Sequence, residues 1–391
     1  MEFLGYERPD GQVGIRNRLL VMATCDCSYQ EAKRIADSFS DAVAITQWYG
    51  CRHDPMLMHQ MIGLATNPNV GATLLVGHGC ESITVDSLMQ PISQSGKPLT
   101  NVVCQRDGGS IKTVEKGVRL LRGMAAELSK QNRHTFDISD LTVAVECGGS
   151  DATSGLAANP VAGHVINRLI DTGGTAIFSE PLEMVGTEHI LARRAVNPKV
   201  AQKIYTMIRQ TEKWARASGI PSRHMSQGNI DGGLSTIEEK SLGAILKGGT
   251  RAIQDVLENN QAKLERPTTP GLYIQNGIGW DVPSITHMLA IGAQIVLFTT
   301  GRGATTGHAL APVIKITGNP RTYRNMKDNI DINAGKIIEG HAGITEVATE
   351  VCELMLRVAS GEHTKAEALG YDDFVMWRPD PVGVNLVRTC L

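Results

Sequence analysis

Along this chain, short apolar runs rich in β-branched residues break directly into turns that carry cysteine, glycine and acid, and helical periodicity follows each turn. The fullest case is Leu141 to Pro160, LTVAVECGGSDATSGLAANP. Leu141, Val143 and Val145 alternate with smaller or polar residues, the pattern of a strand. The run passes without a spacer into Glu146-Cys147-Gly148-Gly149-Ser150-Asp151, where the glycines let the main chain approach a ligand closely or take positive φ. Read alone, this could equally be a Gly-rich strand–helix turn with a buried cysteine.

The layout recurs. Leu19–Ala23 runs into Thr24-Cys25-Asp26-Cys27, Ala42–Gln47 into Gly50-Cys51-Arg52-His53, and Ala72–Val76 into Gly77-His78-Gly79-Cys80. Asn101–Val103 meets Cys104-Gln105, and Thr175–Phe178 meets Ser179-Glu180-Pro181-Leu182-Glu183. Helical patterns at 55–65, 111–130, 161–171, 200–217 and 344–358 stand between or after them. Strands alternating with helices predict an α/β fold of two Rossmann-like, doubly wound, mostly parallel sheet domains, with the active site at the strand carboxyl ends. The polar stretch Gln131 to Asp140 divides the chain into an N-terminal domain, 1–136, and a C-terminal catalytic domain, 137–391. Ser226 to Gly233 is expected to be a loop lining a cleft, and Asp331 to Gly335 a polar turn.

Composition narrows the function classes. With 391 residues, 42% of them apolar, the chain can bury one large or two medium cores. A net charge of −2 and 4% aromatic residues offer neither a basic nor a stacking surface for nucleic acid, and no basic patch for a membrane. No apolar run approaches the roughly 18 residues of a membrane span, and the N-terminus lacks a signal layout. The expectation is a cytoplasmic protein that self-associates. Eight cysteines in such a chain point to reduced thiols: core residues, metal ligands or nucleophiles.

Cysteines placed one per strand end favour an open, catalytic site for a soft metal over a structural zinc site. The other reading is that each is a small buried hydrophobe beside a turn. Thr299-Thr300-Gly301-Arg302-Gly303 puts hydroxyls, backbone N–H groups and a guanidinium at one strand end, which suits an anionic carboxylate or phosphate. Arg302 can instead serve as a salt bridge between domains. No dinucleotide fingerprint, Walker loop or nucleophile elbow stands in the right context.

Taken in order, GYERPDGQVGIRN, TCDCS, YGCRHD, GHGCE, VECGGSDATSGLAANP, SEPLEMVGTEH, GGLSTIEEKSLG, FTTGRGATTG with PVIK, and DINAG resemble the catalytic region of the altronate and galactarate dehydratases. That superfamily also holds the large subunit of (2R)-sulfolactate sulfo-lyase. The resemblance runs from about Gly5 to Trp377. It implies an iron(II)-dependent lyase, with a mononuclear ion or an iron–sulfur cluster, that eliminates water from a sugar acid to give a 2-keto-3-deoxy acid; the alternatives are sulfite release and a non-catalytic sugar-acid-binding subunit. It also implies that a small β-rich (SAF-like) domain acts as a separate subunit. By the same resemblance, Cys27, Cys51, Cys80 and Cys147 are the metal candidates; the chemistry of an elimination then makes Asp151, Glu180, Glu183 and His189 the candidate proton carriers. Ser150, Asn229, Thr299, Thr300, Arg302 and Asp331 are the candidates to hold substrate. The chain departs from the dehydratase pattern at Ile230, where lysine is usual, and at Arg52, where glycine is usual.

Overall fold

The computed structural model describes residues 1–217 and 225–377. Strand β1 (Glu2–Glu7) pairs antiparallel with β2 (Val13–Gly14). Strands β3 (Arg18–Ala23), β4 (Ala42–Thr46), β5 (Val70–Gly77) and β6 (Leu99–Val103) form a four-stranded parallel sheet in the order β4-β3-β5-β6. Strand β7 (His134–Asp137) adds to the free side of β1. The larger sheet takes β8 (Thr142–Cys147), β9 (Thr175–Phe178), β10 (Ile253–Leu257), β11 (Gly271–Gln275), β12 (Ile295–Thr300), β13 (Val313–Thr317) and β14 (Ile332–Asn333). It is parallel throughout, in the order β10-β11-β9-β8-β12-β13-β14. Two parallel sheets with crossover helices are the doubly wound α/β architecture that the strand–helix alternation predicts.

In the larger sheet the chain moves from β8 to β9 on one side and later returns to place β12 on the other. The strand order therefore reverses at β8, and the crevice outside the carboxyl end of such a strand is where open α/β sheets bind ligands.

An apolar core joins the two sheets. Leu57, Met61 and Leu64 of the helix Pro55–Ala65 are fully buried in one cluster with Ile285, Met288 and Leu289 of the helix Asp281–Ala290. Gly63 allows this approach, because a β-carbon there would lie 2.2 Å from the Ala290 carbonyl oxygen. Beyond the helix, the Asn67 amide donates to the carbonyls of Leu289 and Ala293, both at 2.8 Å. Phe3 of β1 packs into the larger core, and the Arg16 guanidinium meets Glu367 at 2.8 Å while donating to the Val358 carbonyl. The expected division at 136/137 thus falls inside β7, in a small sheet whose first strand is fastened to the C-terminal half.

Local differences from the sequence expectations have local causes. Residues 226–233 contain a helical turn, Gln227–Asp231, because Asn229 and its neighbours satisfy one another's backbone groups. The expected polar turn at 331–335 holds the edge strand β14, recruited by pairing with β13. The helix Val85–Ser93 carries Pro91 inside it, which obscures its helical signal.

Candidate active site

At the carboxyl end of β8, four ionisable side chains from distant parts of the chain surround Cys147. Its Sγ donates to Glu183 Oε2 at 2.9 Å and lies 3.5 Å from Glu180 Oε2. The Lys247 ammonium donates to the same sulfur at 2.9 Å and is ion-paired with Glu180. Lys240 is ion-paired with Glu183. All five residues are buried.

Local structure aims these groups inward. Glu180 follows β9 and is the only non-glycine residue with positive φ among the described residues, at φ 72°. A non-glycine residue in the left-handed region carries strain of about 1 to 3 kcal/mol, tolerated where the surroundings hold it. Here the Cys147 backbone N–H, 3.2 Å from Glu180 Oε2, and the Lys247 ammonium hold it. Glu183 sits in the single turn Pro181–Met184 that follows. Lys240 lies on the helix Ile237–Ala244, whose start is capped by the Thr236 hydroxyl, and Lys247 on the tight turn Ile245–Gly248 directly after it. Asp281 opens the helix Asp281–Ala290 and approaches the β8 turn over Gly148, where a β-carbon would lie 3.1 Å from Asp281 Oδ2.

Burial and charge set the protonation states. Burial pushes the Cys147 thiol up to about 12, with Glu180 adding to the effect and Lys247 opposing it, so the sulfur keeps its proton. Burial, then the neighbouring Glu180 charge, raises the Glu146 carboxyl well above the carboxylate range; the Ser284 hydroxyl donates to it at 2.6 Å. Burial works the same way on Glu180, but the Lys247 charge, the Glu146 hydrogen bond and the Lys240 charge together outweigh it and hold Glu180 low and ionised. Lys247 is held high, because Cys147, Glu180 and Glu146 outweigh its desolvation. Asp281 is raised to about 6, first by burial and then by Glu180. The cluster therefore places an acid that titrates near neutrality beside fixed ammonium groups, the arrangement general acid–base chemistry needs.

A cavity of about 310 Å³ opens onto this cluster and is lined by Cys147, Glu183, Lys240, Asp281, Asn229 and Trp280, among others. Glu146, Glu180 and Lys247 lie behind its wall.

A second group of thiols sits on the smaller sheet. Ligand atoms of Cys25, Cys27 and Cys51 lie within 4.8 Å of one another. Burial, then the neighbouring Cys27 and Cys80 thiols, pushes the Cys51 thiol up, so Cys80 belongs to the same neighbourhood. Glu81 fixes the turns that carry them: it accepts from the Thr24 hydroxyl at 2.7 Å and from the backbone of His78 and Gly79. The Ser82 N–H donates to the Cys51 carbonyl at 3.0 Å, and Asp54 caps the helix that follows. Crowded thiols in partly exposed turns suit a soft cation, whose charge would favour their thiolates. Cys147, Glu180 and Glu183 also lie within 4.8 Å of one another, but Lys240 and Lys247 already neutralise that group, and a further cation would be repelled.

Residues 138–382 match the family described as D-galactarate/altronate dehydratase, C-terminal, and residues 5–129 match the second domain of D-galactarate dehydratase/altronate hydrolase. The chain belongs to the D-galactarate/altronate dehydratase family. Among its relatives, the (2R)-sulfolactate sulfo-lyase subunit beta of Chromohalobacter salexigens is 34% identical over 96% of this chain and 97% of its own length. Altronate dehydratase of Bacillus subtilis is 30% identical over 96% of this chain and 77% of its own. Galactarate dehydratase (L-threo-forming) of Escherichia coli is 32% identical over 82% and 62%. Dehydratases and a sulfo-lyase make this family member an enzyme of the lyase class. No described helix is long and apolar enough to cross a membrane.

The structure distributes the sequence-predicted residues of this family member over several places. Cys147, Glu180 and Glu183 come together in the buried cluster, with Asn229 at the cavity wall. Cys27 and Cys51 come together on the other sheet, near Cys80. Ser150 donates its N–H to Asn229 Oδ1 at 2.8 Å, which fixes the glycine turn. Asp151 accepts from Thr153 and from the Asn319 amide, so its carboxylate is engaged in holding loops together. The Thr299 hydroxyl donates to Asn159, and the Thr300 hydroxyl to the Gly149 carbonyl. Asp331 accepts from the backbone N–H groups of Lys315 and Lys365. His189 and Arg302 are exposed. Lys240, Lys247, Asp281 and Cys25 escaped sequence reasoning. The available signal was Lys247 set in the apolar run Ala244-Ile245-Leu246, where a surface helix would rarely end in so buried a lysine.

Proposed function

We propose that this chain is the catalytic subunit of a sugar-acid dehydratase that removes water across C2 and C3 of a polyhydroxy acid. The observation that carries the reading is that Asp281, Glu183, Lys240 and Cys147 line one cavity, with the Lys247–Glu180 pair behind its wall. Asp281 takes the proton from C2, and the electron pair forms the C2–C3 double bond. The Lys240 ammonium gives its proton to the departing C3 hydroxyl, which leaves as water. The enol then gives up its C2 hydroxyl proton to solvent and takes up a proton at C3 to become the 2-keto-3-deoxy acid. Lys247 and Glu180, behind the wall, fix the charge around Cys147 and do not contact substrate.

The thiol group fits iron(II) or an iron–sulfur centre held by Cys27 and Cys51 with Cys25 or Cys80. A centre held there would supply Lewis-acid stabilisation of negative charge developing next to the substrate carboxylate. A small β-rich partner subunit and self-association belong to the same proposal; that one relative is a subunit beta supports assembly with a partner subunit of some kind.

A match along nearly the whole length of a sulfolactate sulfo-lyase subunit favours a second reading, in which the same C2 proton is removed and the C3–S bond breaks to release sulfite. The test is anaerobic turnover of sugar acids and of sulfolactate, read as 2-keto acid and as sulfite, with iron and inorganic sulfide measured on the same protein. Lys240→Met is expected to abolish turnover, and Cys27→Ser with Cys51→Ser to lose iron. Turnover of no acid, by either readout, would refute both readings; full activity of Lys240→Met would refute the mechanism.

A further inference from the structure

Next to the catalytic cavity lies a second one of about 430 Å³, and the two share Leu182, Gly279 and Trp280 in their walls. Its remaining lining includes Trp214, Trp377, Glu258, Asn259 and His287. Three side chains, Asn259 and His287 in the wall and Gln275 beside it, are buried with every side-chain polar atom unpaired among the described residues: both amide atoms of Asn259 and of Gln275, and both ring nitrogens of His287. Asn259 is 7% exposed, and Gln275 and His287 are each 1% exposed. Gln275 ends β11 and His287 lies on the helix that follows. They converge on Gly277, where a β-carbon would lie 3.4 Å from His287 Nδ1 and 3.6 Å from Gln275 Oε1.

Each buried polar group without a partner costs about 1 to 3 kcal/mol, so native proteins pair nearly all of them. Two such side chains in the wall of one cavity, Asn259 and His287, with Gln275 directly beside them, offer free donors and acceptors to a group that enters it. Their chemistry says which ligand. An amide offers a donor and an acceptor, and a neutral imidazole offers one of each; burial lowers His287 to about 4 and so keeps it neutral. Anions need donors alone and cations need acceptors alone, whereas a hydroxyl both donates and accepts. Among the described residues no lysine or arginine lines this cavity, and the Glu258 carboxyl does, so a second carboxylate on the substrate meets a like charge and no described cation there. The indole walls supply apolar surface for C–H groups between hydroxyls.

We propose that this second cavity binds the uncharged polyhydroxyl tail of the substrate, so that the enzyme selects a six-carbon monocarboxylic sugar acid over its dicarboxylic counterpart and over three-carbon acids. The proposal rests on the dehydratase reading and names the substrate class within it.

The experiment compares kcat/KM for six-carbon aldonates, six-carbon aldarates and (2R)-sulfolactate in the wild type, Asn259→Leu and Trp214→Ala, with thermal unfolding of each. Alongside it, quenching of tryptophan fluorescence by a neutral hexitol reads the tail subsite without turnover. The expected result is an aldonate preferred by about tenfold or more, the scale of one good hydrogen bond. Asn259→Leu should raise KM for the aldonate by about tenfold without lowering the melting temperature, because it removes unpaired buried atoms. Trp214→Ala should weaken hexitol binding. An aldarate turned over as well as the best aldonate would overturn the proposal while leaving the dehydratase reading intact, and so would hexitol quenching that Asn259→Leu leaves unchanged. Turnover of no acid, with hexitol binding that Asn259→Leu abolishes, would overturn the dehydratase reading and support the subsite.

Discussion

Replacing Lys247 by methionine tests the electrostatic account of the buried cluster most directly. Lys247 is 2% exposed and its partner Glu180 is fully buried, so methionine preserves bulk but leaves Glu180 without its ammonium. Removing one partner of a buried ion pair costs about 3 to 5 kcal/mol, because the remaining charge has lost its compensation. That deficit must depend on pH. In the wild type Glu180 sits below its unfolded value and contributes stability at every pH above that value. In Lys247→Met burial, the largest effect on Glu180, is opposed only by the Glu146 hydrogen bond, the Cys147 N–H and the more distant Lys240 charge, and the Glu180 pKa is expected to rise above the unfolded value of about 4.3. A carboxyl raised in the folded state destabilises above its folded pKa, and the loss is recovered as pH falls towards the unfolded value. The variant's deficit should therefore be largest near pH 8 and shrink by about 1.4 kcal/mol per pH unit below the folded pKa of Glu180. Urea titrations of both proteins from pH 8 to pH 5 measure it. Adding Glu180→Gln to Lys247→Met should restore most of the stability at pH 8. A deficit constant with pH, or additive effects of the two substitutions, would refute the reasoning.

Two further outcomes follow from the packing. Gly63→Ala should destabilise by about 1 to 3 kcal/mol despite the helix propensity of alanine, because the new β-carbon meets the Ala290 backbone, which cannot turn aside. Gly123→Ala, on the helix Ser110–Leu128 with nothing within 4 Å, should instead gain up to about 1 kcal/mol, and equal effects in chemical denaturation would contradict the interface. Burial lowers His287 to about 4 and His308 to about 3, so the unfolded chain binds more protons than the folded one below pH 6.5. Stability from these two groups is complete above pH 6.5 and should fall by about 2 kcal/mol per histidine between pH 6.5 and 5. Replacing both with apolar residues should flatten that part of the stability profile, and an unchanged profile would argue against neutral buried imidazoles.

What the sequence by itself determined is what covalent neighbours control. Alternating β-branched residues made β8, the glycines after Cys147 allowed its tight exit, and proline and aspartate started the helix Pro55–Ala65, so the parallel sheets and their functional edge were legible. Cys147, Glu180 and Glu183 could be read as site residues because they stand at the end of a strand or in the turn that follows one. Tertiary structure alone decided which side chains they meet. Lys247 lies 100 positions from Cys147, and no local pattern marks that pairing. The same holds for the cysteines: one per strand end reads as a single rim, yet Cys147 is enclosed by lysines while Cys25, Cys27 and Cys51 gather on the other sheet. Asp151, Thr299, Thr300 and Asp331 have chemistry that suits a site, and only their hydrogen bonds reveal that they hold the backbone around it. Propensity and turn geometry act over a few residues. Desolvation and Coulomb interactions act across space, so protonation states and the polar lining of the second cavity were decided by burial against distant segments.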